Sequence, residues 1–420
     1  MKNSPQATSP LNTWSHYLEY LHAQPIDLEL TRVTNVATSL NLLRPAPIIF
    51  TVAGTNGKGT TCRAIEMILL AAGYRVGVYT SPHLMYYSER VRICGKELED
   101  LEHTKAFSVI NIARSTTSLT YFEFGTLAAL WLFKQAKLDI VILEVGLGGR
   151  LDATNIIDSD VAIITTIGRD HTDFLGVDYN SIGREKAGIF RKGKPAVVGE
   201  PNMPATIREV AKQKKARLYQ YNRDWFYSVV GNYWVFKDQK GSIGYFPLPQ
   251  IPIDNAATAL AAIRMSSIQV NPIIIQRILH LVTLPGRFQT IAHAPQVILD
   301  VAHNPHAAQY LARKLIEIKK TSHIHAIVGM LRDKDVSETL SYLIPHVDYW
   351  YCATLTHPRG SSALYLMSFL KKATCFSSVA QAWRCAIAKA KKTDIILVFG
   401  SFHTVSEVIR SQTDKHKKIK

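Results

Sequence analysis

The stretch that decides the fold runs from residue 48 to residue 61 and reads Ile-Ile-Phe-Thr-Val-Ala-Gly-Thr-Asn-Gly-Lys-Gly-Thr-Thr. It begins as an apolar run of mostly β-branched and aromatic residues, which is typical of a buried strand in a parallel sheet. Gly54, Gly57 and Gly59 then interrupt the run, with Lys58 between the last two, and a helical pattern follows. The order of strand, glycine loop and helix predicts a phosphate-binding loop.

The residue types in this loop suit an anion. Glycines allow backbone N–H groups to turn toward it, and the N-terminus of the next helix adds its dipole and its unpaired N–H groups. Lys58 is expected to reach the outer phosphates, and the Thr60 hydroxyl is expected to bind magnesium. The spacing departs from the common G-x-x-x-x-G-K-[ST] pattern, because Val52 stands at the first glycine position and Gly59 separates Lys58 from Thr60. A glycine-rich turn without a ligand is the alternative, but the combined features favour nucleotide binding.

Length and composition limit the class of protein. With 420 residues, of which 47% are hydrophobic, the chain is expected to form two domains with full cores. No apolar run approaches the ~18–20 residues of a membrane helix. Residues 1–10 lack a hydrophobic signal region, which predicts a cytoplasmic protein. The cysteines form no C-x-x-C pair, so reduced, mostly buried thiols are predicted at Cys62, Cys94, Cys352, Cys375 and Cys385.

The formal net charge of +16 fits two kinds of partner, which are nucleic acid and polyanionic substrates such as nucleotides and polycarboxylates. Many lysines fall in solvated faces and tails, as at residues 212–215 and 415–420, and no stripe of basic and aromatic residues stands out. Small polyanionic substrates are therefore favoured, and neither a nucleic-acid partner nor a membrane partner is predicted.

Polar residues follow several of the predicted strands. In α/β sheets, ligands gather at the carboxyl ends of parallel strands. An acid at the tip of an apolar strand, such as Glu144, indicates a magnesium ligand, and the glycine run beside it allows close approach. A solvated carboxylate is the alternative for Glu144, and a structural histidine is the alternative for His171. The strand over residues 75–80 is followed by Ser81-Pro82-His83, and the strand over 161–167 is followed by Asp170-His171. The strand over 139–144 ends with Glu144 itself.

The pattern of elements predicts an α/β fold with two domains. The first, over residues 1–287, is expected to hold a mostly parallel sheet flanked by helices, with a hairpin-like region over 225–245. An alanine-rich helix over 254–267 has Asn255 near its start as a possible cap. The alternation of strands and helices restarts after Arg287, which predicts a second, Rossmann-like domain over 288–420.

At this point the motifs are specific enough to indicate a family. The chain resembles the bifunctional dihydrofolate synthase/folylpolyglutamate synthases of bacteria, which belong to the Mur ligase superfamily, and the matching motifs occur in the family's order from about residue 20 to about residue 405. Arg169 is a local departure, since the family usually has an apolar or small residue there. The motifs are Ala53-Gly-Thr-Asn-Gly-Lys-Gly-Thr60, Ser81-Pro-His83, Leu143-Glu-Val-Gly-Leu-Gly-Gly-Arg-Leu-Asp-Ala-Thr-Asn155, Asp170-His171, Gly183-Arg-Glu-Lys-Ala-Gly188, Asn255-Ala-Ala-Thr258, Leu284-Pro-Gly-Arg-Phe288, Asp300-Val-Ala-His-Asn-Pro-His306 and Gly400-Ser-Phe-His403.

The resemblance implies an ATP-dependent ligase that joins L-glutamate to 7,8-dihydropteroate and to reduced folates through an acyl phosphate, with two magnesium ions and ATP in a cleft between the domains. It implies Lys58, Lys186 and His303 as catalytic residues, with His303 as an acceptor of the amine's proton or an orienting group. The implied ATP-binding residues are Gly54, Thr55, Asn56, Gly57, Lys58, Gly59, Thr60, Asn255, Arg287 and Asp300. The implied metal ligands are Thr60, Ser81, Glu144, His171 and Lys186, the last as a carbamate.

The pteridine substrate is implied to bind at three segments, and their presence favours a bifunctional enzyme. These segments are Asp27, Leu28 and Glu29; Thr120, Tyr121, Phe122 and Glu123; and Leu151, Asp152 and Ala153. The alternatives are a folylpolyglutamate synthase only, a Mur-type ligase of another carboxylate, and a P-loop NTPase switch. About 45 residues precede the phosphate loop, which argues against the extra N-terminal domain of a cell-wall ligase. A monomer is expected from the family.

Overall fold

The computed structural model describes residues 4–319 and 322–417, with side chains in the last helix described to residue 412. These residues form two compact units. The first runs to Gly168 and resumes over Asp173–Val282, and the second takes Arg169–Thr172 and the chain from Thr283 onward. The functional boundary predicted between residues 287 and 288 stays a prediction.

The first unit is built on a sheet whose described strands follow the order β4-β3-β2-β5-β1-β6-β7-β8. The central strand β1 is parallel to both of its neighbours, β5 and β6. Only the β2–β3–β4 edge is antiparallel in the described residues, and the sequence did not predict this hairpin. The strands are β1 (Ile48–Ala53), β2 (Val76–Tyr79), β3 (Val91–Ile93), β4 (Lys96–Glu97), β5 (Ile140–Glu144), β6 (Val161–Ile164), β7 (Pro195–Val198) and β8 (Arg217–Gln220).

Helices cover both faces of this sheet. Alternate residues of one strand therefore enter different cores: Ile140 and Ile142 belong to one apolar cluster, and Val141 and Leu143 belong to the other. The helices are α1 (Leu11–Glu19), α2 (Thr31–Ser39), α3 (Lys58–Ala71), α4 (Asp100–Ala113), α5 (Tyr121–Ala136), α6 (Thr172–Leu175), α7 (Tyr179–Ala187), α8 (Ala205–Gln213), α9 (Ile253–Met265) and α10 (Pro272–Leu279). Short 3-10 helices span Tyr87–Arg90 and Ala153–Ile156.

The predicted hairpin-like region is a separate antiparallel sheet of β9 (Trp225–Val230), β10 (Tyr233–Asp238) and β11 (Gly241–Pro247). Its buried aromatic side chains join the apolar cluster that contains α3 and α9. Helix α9 begins one residue before the predicted start. Its N-cap is Pro252, which makes no side-chain cap bond, so the prediction that Asn255 caps the helix is wrong.

The second unit is a six-stranded sheet in the order β12-β13-β17-β14-β15-β16. All its strand pairs are parallel except β12–β13, which is an antiparallel edge in the described residues. The predicted α/β class is confirmed. The strands are β12 (Gln289–His293), β13 (Gln296–Leu299), β14 (Ile324–Val328), β15 (Tyr349–Ala353), β16 (Thr374–Phe376) and β17 (Ile395–Phe399). The helices are α11 (Pro305–Ile318), α12 (Val336–Ser341), α13 (Ala363–Met367), α14 (Val379–Lys389) and α15 (Phe402–Lys417).

Two general predictions can be compared with the described residues. Within residues 4–319 and 322–417, no helix is both long enough and apolar enough to cross a bilayer. All the cysteines are free thiols, as predicted. Only Cys62 and Cys352 are fully buried, however, and Cys94 is exposed, so "mostly buried" overstated their burial.

A buried histidine gives the first unit a pH-dependent stability. His103 of α4 is 0% exposed and packs against the rings of Tyr87 and Phe107. Neither ring nitrogen has a hydrogen-bond partner in the described part of the chain. Burial lowers the pKa of His103 from its ordinary 6.5 to about 4, against a smaller opposing effect of Asp100. Between these values the unfolded chain binds the proton and the folded chain does not, so stability falls as the pH falls.

We therefore expect His103→Leu to reduce the loss of stability on acidification. Between about pH 7 and about pH 5, the wild type should lose about 2 kcal/mol more unfolding free energy than the variant, because the variant has no imidazole to protonate on unfolding. Urea unfolding of both proteins at the two pH values measures this difference. His16→Gln, at an exposed position of α1, is the control and should follow the wild type. Equal losses in wild type and His103→Leu would contradict the assignment.

Candidate active site

The glycine loop between β1 and α3 has the backbone form that its sequence predicts. Gly57 is the N-cap of α3 and has φ +82°, a left-handed conformation that side chains other than glycine rarely adopt. Gly54 has φ +152°, and a Cβ there would lie 1.8 Å from Thr165 Oγ1. The two glycines are thus required by conformation and by close packing, respectively.

The loop is fixed by the segment that follows β6. The Thr55 N–H donates to Thr166 O at 2.9 Å, and the Asn56 N–H donates to Thr166 Oγ1 at 3.0 Å. The Thr55 hydroxyl donates to Gly168 O and accepts the Gly168 N–H, each at 2.9 Å. Both loop residues therefore use their backbone N–H groups or hydroxyl to join the ends of two adjacent parallel strands.

Three predicted nucleotide-binding residues lie on this loop or against it. The Lys58 amine donates to Gly54 O at 3.0 Å and to Thr55 O at 3.3 Å. A Cβ on Gly57 would lie only 2.4 Å from Asn255 Oδ1, so the Asn255 side chain touches the start of α3. Thr60 is 2% exposed in the first turn of that helix. The structure thus brings Asn255 to the phosphate loop instead of to a helix cap.

Two predicted metal ligands meet beside the loop. Glu144, at the tip of β5, is 5% exposed, and its Oε2 accepts the Ser81 N–H at 3.2 Å. Register places Glu144 opposite Val52, two residues before Gly54. Glu89 fixes the loop after β2 by accepting the N–H groups of Leu84 and Tyr86 at 2.6 and 2.7 Å. Ser81 and Glu144 are therefore neighbours at the carboxyl edge of the sheet.

These donors fit magnesium. Mg²⁺ in nucleotide sites takes one or two carboxylates together with hydroxyls, waters and substrate phosphates, and seldom a complete protein cage. The described residues contain no group of three or more His, Cys, Asp or Glu that would form such a cage. One buried carboxylate at Glu144, with the Ser81 segment bonded to it, provides the type of partial oxygen site that a nucleotide completes.

Lys186 lies in the last turn of α7, and it is 3% exposed. The Arg150 N–H donates to Glu185 O at 2.8 Å, and a Cβ on Gly149 would lie 2.9 Å from Lys186 O. The glycine run after Glu144 therefore packs against the turn that carries Lys186. This close approach requires glycine at residue 149, whereas Gly148 has φ +67°, a conformation that favours glycine.

In the second unit, one carboxylate joins two of the predicted segments. Asp300 is buried, and it accepts the Ala302 N–H at 2.7 Å and the Phe288 N–H at 2.8 Å. Burial raises the pKa of Asp300, and Arg287 is the largest opposing charge. The Arg287 guanidinium stands over the Phe402 ring, 5.2 Å from its centre. Asp300 and Arg287 thus lie close together, and their role in ATP binding stays a prediction.

His303 faces a carboxylate. Its Nδ1 lies 2.8 Å from Val301 O, which can only accept, so Nδ1 carries a proton. Its Nε2 lies 3.4 Å from Asp170 Oδ2. Asp170 also binds the Lys334 amine at 2.6 Å and the Asn304 amide at 3.3 Å. This geometry favours an orienting role for His303, because its second nitrogen is directed to Asp170.

Asp170 is strongly stabilised in its ionised form. Burial raises its pKa, but the hydrogen bond from His303 and the charges of His303, Lys334 and His171 together lower the pKa far below its ordinary value. His171 itself has φ +51°, an uncommon conformation for a residue with a side chain. Arg169, the departure from the family pattern, is exposed, so its charge points to solvent.

Two of the three predicted substrate segments share an arginine, Arg32, which was not among the predicted site residues. Arg32 Nη1 donates to Asp27 Oδ2 at 2.6 Å and to Glu29 Oε2 at 2.8 Å. Its Nη2 donates to Glu123 Oε1 at 3.1 Å. The i,i+3 spacing from Glu29 was a signal for one of these pairs, whereas the contact with Glu123 depends on tertiary structure.

Two predicted substrate-binding carboxylates, those of Glu123 and Asp152, accept hydrogen bonds from other groups of the protein. Glu123 accepts the Thr120 N–H at 2.7 Å in a capping box at the start of α5. Asp152 accepts from Thr154 N and Oγ1 at 3.0 and 2.7 Å, and from Leu147 N at 2.8 Å. Burial raises the pKa of Asp152, and these bonds oppose the rise. Both carboxylates therefore hold backbone in place.

The Phe122 ring packs the second substrate segment against the carboxyl edge of the sheet, where Glu144 lies. A Cβ on Gly146 would lie 2.6 Å from the Phe122 ring, and the ring centre is 5.8 Å from that of Tyr79 at the end of β2. The segment at the start of α5 therefore packs against the chain that follows Glu144. Leu28, Tyr121, Leu151 and Ala153 lie in the same three segments as the acidic residues and stay predicted contacts.

We expect Gly57→Ala to weaken nucleotide binding by at least about tenfold, or about 1.4 kcal/mol. The added methyl group would collide with Asn255, and φ +82° would be strained. Calorimetric titration with ADP measures the affinity. Gly73→Ala is the matched control, because Gly73 has φ +90° but a Cβ there meets nothing within 4 Å. Unchanged ADP affinity in Gly57→Ala would contradict the assignment of the loop.

Comparison with known proteins agrees with this geometry. Residues 52–263 match the Mur ligase middle domain, and residues 286–402 match the Mur ligase glutamate ligase domain. The chain is 57% identical over 409 residues to the dihydrofolate synthase/folylpolyglutamate synthase of Escherichia coli (strain K12), covering 97% of each chain.

Two solved structures show the same fold. Escherichia coli FolC in complex with DHPP and ADP has a TM-score of 0.97 and 56% identity, covering 98% of this chain and all of that one. A bifunctional folylpolyglutamate synthase/dihydrofolate synthase with Mn, AMPPNP and L-glutamate bound has a TM-score of 0.94 and 55% identity, with 98% and 100% coverage. The chain therefore belongs to the dihydrofolate synthase/folylpolyglutamate synthase family of Mur ligases.

Proposed function

We propose that the chain is a bifunctional ATP-dependent ligase. It joins L-glutamate to 7,8-dihydropteroate, which gives dihydrofolate, and to reduced folates, which gives folylpolyglutamates. The observation that carries the proposal is the 57% identity to a dihydrofolate synthase/folylpolyglutamate synthase over 97% of both chains. The phosphate loop, with Asn255 against Gly57 and with Ser81 bonded to Glu144, supplies the chemistry that such a ligase needs.

The first step activates a carboxylate. A free carboxylate is a poor acyl donor, since its leaving group would be oxide, and phosphorylation by ATP gives an acyl phosphate and ADP. The Lys58 amine and the N–H groups at the start of α3 offset charge on the transferred phosphoryl group. Glu144, Ser81 and the Thr60 hydroxyl would hold magnesium, which would supply further charge neutralisation at the phosphate oxygens.

The second step forms the amide. The unprotonated amine of L-glutamate attacks the acyl carbon, and phosphate leaves with the bonding electron pair and takes up the proton that the amine nitrogen loses. Water must be excluded, because it would hydrolyse the acyl phosphate. We assign an orienting role to His303, whose ring is fixed at Nδ1 by Val301 O and at Nε2 by Asp170. Arg287 and Asp300 complete nucleotide binding in this proposal.

Substrate recognition is assigned to the three predicted segments. Residues 27–29, 120–123 and 151–153 bind the pteridine portion, which both substrates share. The contact of Phe122 with Gly146 supports this assignment, because it joins the second segment to the chain following Glu144. The engaged carboxylates of Glu123 and Asp152 imply that these two residues act through the backbone they position.

We also propose that Lys186 is carbamylated and that two magnesium ions, with His171 and Lys186 among their ligands, take part. Carbamylation converts a cation into an anionic oxygen ligand on a long arm. The 3% exposure of Lys186 supports a specialised role, because a buried lysine is rarely retained without one. We further propose a monomer that binds no nucleic acid, which light scattering and a salt titration with DNA would test.

We expect Lys186→Ala to lower ligase activity by at least about a hundredfold, since a metal-supporting ligand is lost. If the residue acts as a carbamate, added short-chain carboxylates such as acetate should restore part of the activity. ADP formation with and without acetate measures both effects. Lys212→Ala, at an exposed position of α8, is the control and should keep full activity. A variant that loses activity without any rescue would argue against the carbamate.

The bifunctional assignment predicts ADP formation with magnesium, ATP and L-glutamate when either 7,8-dihydropteroate or tetrahydrofolate is added. Both substrates present the same amino-oxo-pyrimidine edge of a reduced pteridine to the same segments, so both reactions should occur. Activity with tetrahydrofolate alone would show that the enzyme is a folylpolyglutamate synthase without dihydrofolate synthase activity. ATP hydrolysis without dependence on either substrate would indicate another Mur-type substrate or an NTPase.

A further inference from the structure

Arg32 is the centre of a charged cluster at the predicted pteridine site. Its guanidinium binds the carboxylates of Asp27, Glu29 and Glu123 at 2.6, 2.8 and 3.1 Å. Asp27 and Glu29 are the two ends of the first predicted segment, and Glu123 is the end of the second. The side chains of Arg32 and Glu123 are 18% and 4% exposed, whereas those of Asp27 and Glu29 are 33% and 42% exposed. The cluster thus has a buried base and an accessible rim.

The carboxylates of this cluster are not used equally by the protein. Glu123 has both oxygens engaged, one by Arg32 and one by the Thr120 N–H. Asp27 Oδ2 is shared by Arg32 and by His22 Nε2, which lies 3.2 Å away. In the part of the chain that the structure describes, Asp27 Oδ1 has no hydrogen-bond partner. One fixed oxygen of Asp27 therefore remains available at the accessible rim.

The arrangement is not the one that would stabilise Arg32 best. The Arg32 Nε atom is buried, and no group among the described residues accepts its hydrogen bond. One guanidinium also faces three acids, with His22 as the other nearby basic group. A donor left unpaired and an excess of acid both cost folding free energy. Such costs are concentrated at functional sites.

We propose that Arg32 is the positioning residue of the pteridine site. It holds Asp27 and Glu123 in place, and it orients the rim carboxylate of Asp27 so that Oδ1 accepts hydrogen bonds from N–H groups of the pteridine ring. This inference rests on the proposed function, which assigns residues 27–29 and 120–123 to that ring. Arg32 acts through Asp27 and Glu123, and it takes no part in phosphoryl transfer.

The chemistry of the ring explains why an oriented carboxylate is needed. The amino-oxo-pyrimidine edge of a pteridine presents adjacent N–H donors, so it needs an acceptor. An ionised carboxylate only accepts, whereas a protonated one also donates. Without Arg32, three acids would stand close together, and their repulsion would move the Asp27 carboxylate out of this position. Burial raises the pKa of Asp27, but Arg32 and His22 more than offset this and keep it below its ordinary value.

The test is Arg32→Gln, analysed by steady-state kinetics in the full-length enzyme. The KM for 7,8-dihydropteroate should rise about tenfold or more, while the KM values for ATP and L-glutamate stay within about twofold. Arg32→Lys should give an intermediate KM, because it keeps the charge but cannot bridge three carboxylates from one planar group. It also keeps the test open if the Gln variant is poorly folded.

The matched control is Arg264→Gln. Arg264 is 15% exposed and binds the buried carboxylate of Asp238, so it resembles Arg32 in burial and pairing but lies outside the assigned segments. Its substitution should leave the KM for 7,8-dihydropteroate unchanged. A general effect of losing a half-buried ion pair would raise the KM in both variants and would overturn the inference.

The outcomes separate this inference from the proposed function. A wild-type enzyme that is inactive with both pteridine substrates would overturn the proposed function, and the inference with it. An active wild type with an unchanged dihydropteroate KM in Arg32→Gln would overturn only the inference. A parallel rise in the KM values for ATP and L-glutamate would also overturn it, because that result indicates a general structural role.

Discussion

The anchoring of the glycine loop to the chain after β6 is the constraint on which the rest of the first unit depends. Because β1 lies between β5 and β6, its carboxyl end is adjacent to the ends of both. Thr55 uses its N–H and its hydroxyl to bind Thr166 and Gly168, so the loop has a defined shape before any ligand is considered. Preorganised N–H groups do not have to be ordered when a phosphate binds, and this lowers the cost of binding.

The acidic residues around this edge divide into two groups. Glu123 and Asp152 have their oxygens occupied by backbone N–H groups or by neighbouring side chains, and both are almost fully buried. They resemble helix caps more than ligand-binding groups. Asp27 instead lies at the accessible rim of its cluster, where Arg32 and His22 hold only one of its oxygens. The same residue type thus serves as scaffold or as site according to how many of its oxygens the protein uses.

Sequence reasoning reached the elements whose pattern is local. The phosphate loop, the β5 tip at Glu144 and most parallel strands were predictable, because buried apolar runs and glycines indicate the local backbone conformation. The antiparallel β3–β4 and β12–β13 edges were missed, since short edge strands carry little periodicity. The position of Asn255 near the start of α9 suggested a helix cap, which is wrong, and the sequence pattern gave no role for Arg32. Both make contacts with residues distant in sequence, and no spacing rule records those.

The position of the Lys58 amine explains how a preformed loop can still distinguish an anionic ligand from a neutral one. The amine bonds to two carbonyls of its own loop, Gly54 O and Thr55 O, at 3.0 and 3.3 Å. Neutral carbonyls are weaker acceptors than the anionic oxygens of a phosphate, and a charged donor gains more from a charged acceptor. In the proposed function, a phosphate would therefore replace these bonds with stronger ones, whereas a neutral ligand would gain nothing from the exchange. Because the backbone is already held by Thr166 and Gly168, the exchange requires only the motion of one side chain. In the proposed function, the loop would thus select its ligand by charge while its shape stays fixed.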